Sequence, residues 1–298
     1  MAAEMIAQLI SFLYLLAWKI VRTVPEASAY RFFRYMANRA VRRQSKSFAR
    51  LKANLRRVKP ELSEQELNEL TGRGMQSYLR YWCDAFRLPT WNKERIVSTV
   101  TVEGEEMFRS LVEQGKGVIV SLPHSGNWDH AGAYFSATGI PIISVAERLK
   151  PERVFKAFLK YRERIGIQIY STAENVIPLL NQHLLKGDVV ALVADRDLSK
   201  SGIEVKFFGG VAKMPSGPAL LALRNNSYLV VAHVTYTQNG IHIKFSEPLS
   251  PDPAAPQSKV ENLIQQSADI FAEGIARNPE DWHMLQRIWI DQDEVMKR

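Results

Sequence analysis

Three short runs in this chain, residues 117–122 (GVIVSL), 141–146 (PIISVA) and 189–194 (VVALVA), are apolar almost from end to end. A strand that alternates polar and apolar residues can leave one sheet face to water, whereas a strand with no polar face must be covered on both. Between the runs lie stretches of helical texture: an Ala-rich one ending near Thr138 before Gly139, residues 150–166, and residues 175–186 before Gly187. Apolar strands alternating with helices predict an α/β fold, a single domain with a central, mainly parallel mixed sheet flanked by helices. Residues 96–102, 167–170 and 228–237 read as further strands, and 215–225 and 258–277 as helices. Asn239-Gly240 has the composition of a type I′ hairpin turn leading into a strand over 241–245. With 298 residues, 46% of them hydrophobic, the chain can bury a core of that size. Its lone Cys83 excludes an internal disulfide and a Cys-rich metal site.

The first 60 residues have a different texture. Residues 6–20 are mostly apolar but are interrupted by Gln8, Ser11 and Lys19, short of the roughly 18–20 residues a spanning helix needs. The start of the chain has no basic segment and no clean small-residue cleavage site, so a cleavable signal peptide fits poorly. From Pro25 to Pro60 there are eleven basic residues against the single acid Glu26, a net charge of +10 in a chain whose total is +8. Tyr30, Phe32, Phe33, Tyr35, Met36, Phe48 and Leu51 are interleaved with them. An apolar helix followed by a basic amphipathic one is the composition of an interfacial segment on an anionic membrane surface. The alternative is a solvated basic face packed on its own domain. Nucleic acid is not expected as a partner, because the remainder of the chain is slightly acidic. Residues 1–60 are therefore expected as a helical membrane-docking segment and 61–298 as the α/β domain. The latter opens on a helix over 61–95 with a capping box, Ser63 to Glu66.

In open α/β sheets, ligands bind beyond the carboxyl ends of the strands. There the three apolar runs deliver His124 and Asp129, then Glu147 and Arg148, then Asp195, Arg196 and Asp197. His124 lies in a strand-to-helix turn, and Asp129 in the first turn of the helix that follows. From that spacing the Asp129 carboxylate is expected to hold one imidazole nitrogen, leaving the other to take a proton from a substrate hydroxyl. The N–H groups of the same helix start could hold a carbonyl or phosphate oxygen. There is no G-x-S-x-G elbow, and Cys83 sits in another segment, so a covalent acyl-enzyme is not expected. The residues alone leave several readings open: acyl transfer, hydrolysis of a thioester by a His124-activated water, or a peripheral anionic-lipid-binding protein that owes its function to the basic helix.

The segment His124-Ser-Gly-Asn-Trp-Asp129, preceded by Val-Ile-Val-Ser-Leu-Pro, resembles the His-x4-Asp box of membrane-associated glycerolipid-type acyltransferases. With Gly-Asn-Trp inside the box it is similar to the branch that holds the lipid A acyltransferases and the actinobacterial phosphatidylinositol mannoside acyltransferases. Asp195-Arg-Asp197, Glu204-Val-Lys-Phe-Phe-Gly209, Met214-Pro-Ser-Gly-Pro-Ala219 and Asn278-Pro-Glu-Asp-Trp-His283 agree in order, and Asp-Arg-Asp-Leu with Asp-Trp-His-Met-Leu resembles the mannoside group more. The resemblance implies transfer of a fatty acyl chain, palmitoyl first, from acyl-CoA to a mannose hydroxyl of a mannosylated phosphatidylinositol at the cytoplasmic face of the membrane. It implies no tightly bound cofactor beyond that donor, and no metal. Carried over, His124 is the general base and Asp129 its orienting partner. Asn127, Glu147, Arg162, Asp195, Arg196, Glu204 and His283 fall in the substrate surroundings. Arg196 equally fits a salt bridge with Asp195 or Asp197, Glu147 a surface pair with Arg148, and His283 a half-buried structural histidine. An apolar groove for the acyl chain is implied too, with Trp128, Leu149, Phe155, Phe158 and Phe207 as candidates that would serve as well in a plain core.

Overall fold

The computed structural model describes residues 2–147, 151–172, 175–197, 201–254 and 258–290, with side chains from residue 8 onward. Helices α1 (Ala2–Thr23), α2 (Glu26–Arg42), α3 (Lys46–Val58), α4 (Glu64–Arg87) and α5 (Lys93–Ser98) precede the first strand. There follow β1 (Val100–Glu103), α6 (Glu105–Glu113), β2 (Val118–Leu122), α7 (Trp128–Ala137), β3 (Ile142–Ala146), α8 (Glu152–Arg164) and β4 (Ile167–Ser171). The chain continues through α9 (Val176–Leu185), β5 (Val189–Val193), β6 (Ile203–Phe207), β7 (Gly210–Met214), α10 (Gly217–Asn225), β8 (Tyr228–Tyr236), β9 (Ile241–Phe245) and α11 (Lys259–Arg277).

Seven strands form one sheet in the order β1-β9-β8-β2-β5-β3-β4. All neighbouring pairs are parallel except β8 and β9. This is the expected mainly parallel mixed sheet. Its central strands have no polar face because the two sheet faces feed two different cores. Val118, Val120 and Leu122 pack with Phe108, Phe135 and Phe158 on one side. Ile119, from the same strand, packs with Leu180, Phe271 and Trp282 on the other. Successive side chains of a strand point to opposite faces, so an unbroken apolar run fills both layers. The order also inserts β5 beside β2, with Leu122 opposite Val193, so their carboxyl ends are adjacent.

The N-terminal helices build a third core in which Ala37, Phe48, Leu51 and Leu55 meet Leu67, Leu70 and Met75 of α4. The capping box of α4 forms, with the Ser63 hydroxyl accepting from the Glu66 N–H and the Glu66 carboxylate from the Ser63 N–H. Helix α1 is pinned by Trp18, whose indole N–H donates to the Phe86 carbonyl at 3.1 Å and whose ring lies against Phe158 and Tyr161. Its other face is open: Leu9, Phe12 and Leu13 each expose more than half of their surface. No helix among the described residues is long and apolar enough to cross a membrane.

Two local expectations are corrected. The β-like texture of 96–102 divides into the end of α5 and a four-residue β1, because the Asn92 side chain caps a short helix by accepting from the Arg95 N–H. Asn239-Gly240 is not a type I′ turn, since neither residue has a positive φ. Gly240 is there for space: a Cβ would sit 1.7 Å from the Thr99 carbonyl oxygen. The tight hairpin is instead β6–β7, turned by Phe208 and Gly209 at φ 45° and 72°. A glycine-to-alanine pair separates space from chain entropy. Gly72→Ala, in open space within α4, should raise stability by about 0.5–1 kcal/mol. Gly240→Ala should lower it by about 1–3 kcal/mol. Urea unfolding of the two variants checks both signs.

Candidate active site

The carboxyl ends of β2 and β5 meet at His124 and Asp195. The Asp195 carboxylate is wholly buried and takes three donors: the His124 Nδ1–H at 2.6 Å, the His124 backbone N–H at 3.0 Å and the Trp282 indole N–H at 2.9 Å. Burial by itself would raise the pKa of this carboxyl. The His124 charge and these hydrogen bonds outweigh burial and hold it below the usual carboxylate range. An ionised carboxylate only accepts, so His124 carries its proton on Nδ1. In the uncharged ring Nε2 is then the nitrogen with the lone pair, and it has no hydrogen-bond partner among the described residues. The imidazole is about a quarter exposed, edge-on to Trp128.

Backbone pairing holds the turn rigid. Ser125 bridges Trp282, the His283 N–H donates to the His124 carbonyl at 2.8 Å, and the Gly126 N–H donates to the Asp281 carbonyl at 2.9 Å. Gly126 has φ +59°, and a Cβ there would lie 2.5 Å from the Val234 carbonyl oxygen. Asn127 caps α7 through its side-chain oxygen, which accepts the His130 N–H at 3.0 Å. The N–H groups of Trp128 and Asp129, earlier in that turn, have no intrahelical acceptor.

The expected His124–Asp129 pairing does not form. Asp129 is turned into the protein, where Arg162 Nε donates to it at 2.9 Å and the Tyr81 hydroxyl at 3.1 Å. Helix α7 carries it round to face α8, while β5 brings Asp195 under the imidazole from the other side. Arg162 is likewise internal, and its guanidinium is shifted upward: the Asp129 charge and neighbouring tyrosines overcome the opposing effect of burial.

The other predicted residues divide. His283 comes to the site: it is 6% exposed, its ring lies 6.2 Å from Trp128, and Nε2 is 3.0 Å from the Ser77 hydroxyl. Burial first, and then the charge of His124, push it down to about 3, so it is neutral. Asn127 is fully buried and spent on the helix cap. Glu147 and Arg196 stand at the rim beyond β3 and β5, Glu147 exposed and Arg196 half-buried. Glu204 is on the β6–β7 hairpin, 61% exposed and facing Lys213 at 3.9 Å, apart from the His124 cluster. Of the groove candidates, Trp128 borders a cavity, whereas Phe155, Phe158 and Phe207 are core residues and Leu149 lies outside the described residues. The cavity, about 90 Å³, runs beneath Trp128 and Asp129 between α7 and the sheet, against Val120, Phe135, Val193 and Phe245.

Sequence reasoning missed Asp195 as the imidazole's partner, together with Trp282 and Ser77. Asp195 stood among the rim residues; only the strand order was needed to seat it beside His124.

Comparison with known proteins agrees with this architecture. The model of the family described as bacterial lipid A biosynthesis acyltransferase matches residues 2–290. A phosphatidylinositol mannoside acyltransferase of Mycolicibacterium smegmatis is 35% identical over 280 residues, 93% of this chain and 90% of that one. The protein of the same name in Mycobacterium tuberculosis is 34% identical over 286 residues, 93% of this chain and 87% of that one. A lipid A biosynthesis acyltransferase of Haemophilus influenzae is 21% identical over 165 residues, 55% of this chain and 52% of that one.

The Asp129–Arg162 pair gives a stability test. Asp129→Asn leaves a buried guanidinium without its counter-charge and should cost on the order of 3 kcal/mol. Adding Arg162→Gln should restore part of that loss, a coupling readable from denaturant midpoints of the two singles and the double.

Proposed function

The chain belongs to the bacterial lipid A biosynthesis acyltransferase family and is an acyltransferase, and on that premise we propose a donor, an acceptor and a mechanism. The donor is acyl-CoA, palmitoyl-CoA in the first instance, and the acceptor is a mannose hydroxyl of a phosphatidylinositol mannoside. The acceptor follows the two mycobacterial relatives, which match nearly the whole chain, whereas the lipid A enzyme matches about half of it.

The observation that carries the mechanism is the 2.6 Å bond between His124 Nδ1 and Asp195, which leaves Nε2 basic and open. Nε2 takes the hydroxyl proton as the mannose oxygen attacks the thioester carbonyl carbon. The tetrahedral intermediate collapses with loss of the C–S bond, and the imidazolium returns the proton to the departing thiolate. Asp195 stabilises the imidazolium between those steps. The N–H groups at the start of α7 serve as donors to the developing oxyanion. Asp129 acts at one remove, by clamping Arg162 and fixing the first turn of α7. Glu147, Arg196 and His283 are the polar groups left to hold the sugar. The acyl chain lies in the cavity under Trp128, which must widen by side-chain rotation, since about 90 Å³ holds only a few methylenes.

The reaction takes place at the cytoplasmic membrane face, on an anionic surface. Leu9, Phe12, Leu13, Phe32 and Tyr35 of α1 and α2 are more than half exposed, and the basic residues of 25–60 adjoin them. Such a face docks on anionic lipid without spanning it.

The test is CoA release from palmitoyl-CoA with and without a mannosylated phosphatidylinositol. Release should depend on the acceptor, yield an acylated glycolipid by mass spectrometry, and fall by about 10²- to 10⁴-fold in His124→Ala. Release indifferent to the acceptor would make the protein a hydrolase, and a fully active His124→Ala would remove the proposed base.

A further inference from the structure

A second and larger cavity, about 930 Å³, opens at the same end of the sheet on the side of β8, β9 and β1. None of His124, Asp129, Arg162 and Asp195 lines it. Ser77 and Asp281 form the partition: Ser77 borders the cavity and also contacts His283 Nε2.

Five arginines line this cavity, Arg31, Arg34, Arg73, Arg80 and Arg95, against three acids, Glu26, Asp84 and Asp281. The acids are already engaged. Glu26 holds Arg95 in a two-pronged pair at 2.6 and 2.8 Å. Asp84 takes the Tyr30 and Tyr236 hydroxyls, and Asp281 takes the Ser77 hydroxyl and the Tyr236 N–H. Burial pushes both of these carboxyls above the usual range. Two of the arginines are engaged as well: Arg95 lies over Trp91 at 4.0 Å and Arg80 over Tyr236 at 3.9 Å. That leaves Arg34 of α2 and Arg73 of α4, both exposed on the cavity wall, with no counter-ion among the described residues. Arg31 beside them donates only to the Ala27 carbonyl of its own helix. Guanidiniums without a counter-ion that converge on one concavity match the planar, forked geometry of a phosphate.

The kind of phosphate follows from the neighbouring surface. Arg31 and Tyr35 are successive on the α2 surface, one turn apart, so the cavity-facing strip adjoins the exposed apolar strip of Phe32, Tyr35 and Met36. A ligand seated here has its charged end against the arginines and an apolar surface at the mouth. We propose that this cavity is a second ligand site, separate from His124, that takes the phosphate-bearing headgroup of an anionic phospholipid, with Arg34 and Arg73 as its phosphate contacts. The choice of a lipid over a soluble phosphate rests on the membrane contact proposed above; the binding test does not depend on the acyl-transfer reading.

The probe is monomeric dihexanoyl-phosphatidylglycerol, below its micellar concentration, titrated calorimetrically into the full chain. It should bind saturably at one site, more tightly than dihexanoyl-phosphatidylcholine, inorganic phosphate or coenzyme A. Arg34→Gln/Arg73→Gln should weaken that binding at least tenfold with the melting temperature unchanged. Arg39→Gln/Arg42→Gln, on α2 outside the cavity, should leave it intact. If the single-cavity double variant melts early, the single variants Arg34→Gln and Arg73→Gln should each show a partial loss. The proposal is overturned if the lipid does not saturate, if the cavity variants bind it as the wild type does, or if inorganic phosphate binds equally well. It is also overturned if coenzyme A, rather than the lipid, is the ligand those variants lose. A failed acceptor assay leaves all these outcomes readable.

Discussion

The buried carboxylate of Asp195 is the interaction on which the rest of the site depends. An ionised group without water is costly unless donors surround it. Here they come from the turn after β2, through both the ring and the backbone of His124, and from Trp282 near the end of the described chain. One side chain thus ties together the two central strands and the C-terminal segment, and its satisfaction fixes the imidazole tautomer. The sheet supplies the placement: β5 lies beside β2 in parallel register, so the residues after each strand fall next to each other. The reactive nitrogen on this account is the one that the carboxylate does not use.

A second layer of polar bonds ties this turn to the helices. The Asp281 carbonyl accepts the Gly126 N–H, while its buried side chain takes Ser77 of α4 and the Tyr236 N–H of β8. Helix α4 also supplies Tyr81, stacked on Trp128 at 4.2 Å and bonded to Asp129, and Asp84, bonded to Tyr30 of α2. The same helix therefore forms the floor of the His124 site, one wall of the arginine-lined cavity and the bed on which the N-terminal helices lie. The exposed apolar face of α1 and α2 and the rim that carries His124 are thereby tied to one helix.

Much of this was legible in the sequence, and the parts that were not share a cause. The apolar runs at 117–122, 141–146 and 189–194 announce doubly covered strands because burial on both faces leaves a continuous mark, and the Ser63 capping box announces α4 through local bonds alone. His124 could be singled out by its place after a strand. Its partner could not, because strand order is a long-range property: spacing favoured Asp129, five residues away, over Asp195, which is near only once β5 inserts beside β2. Helical geometry then turns Asp129 toward Arg162. The Asn239-Gly240 turn failed for a related reason, since the glycine answers to the Thr99 carbonyl and not to its own dihedral angles. The arginine-lined cavity lies among residues from distant segments, and the charge run of 25–60 showed only that cations were plentiful there.

The central claim is that Asp195, not Asp129, sets the His124 tautomer. The most direct measurement is a nitrogen-15 correlation spectrum of the His124 ring at neutral pH in the wild type, Asp195→Asn and Asp129→Asn. The account predicts a protonated Nδ1 and an unprotonated Nε2 in the wild type and in folded Asp129→Asn, with that preference lost in Asp195→Asn. A wild-type ring protonated on Nε2, or a tautomer that changes with Asp129 and ignores Asp195, would contradict it.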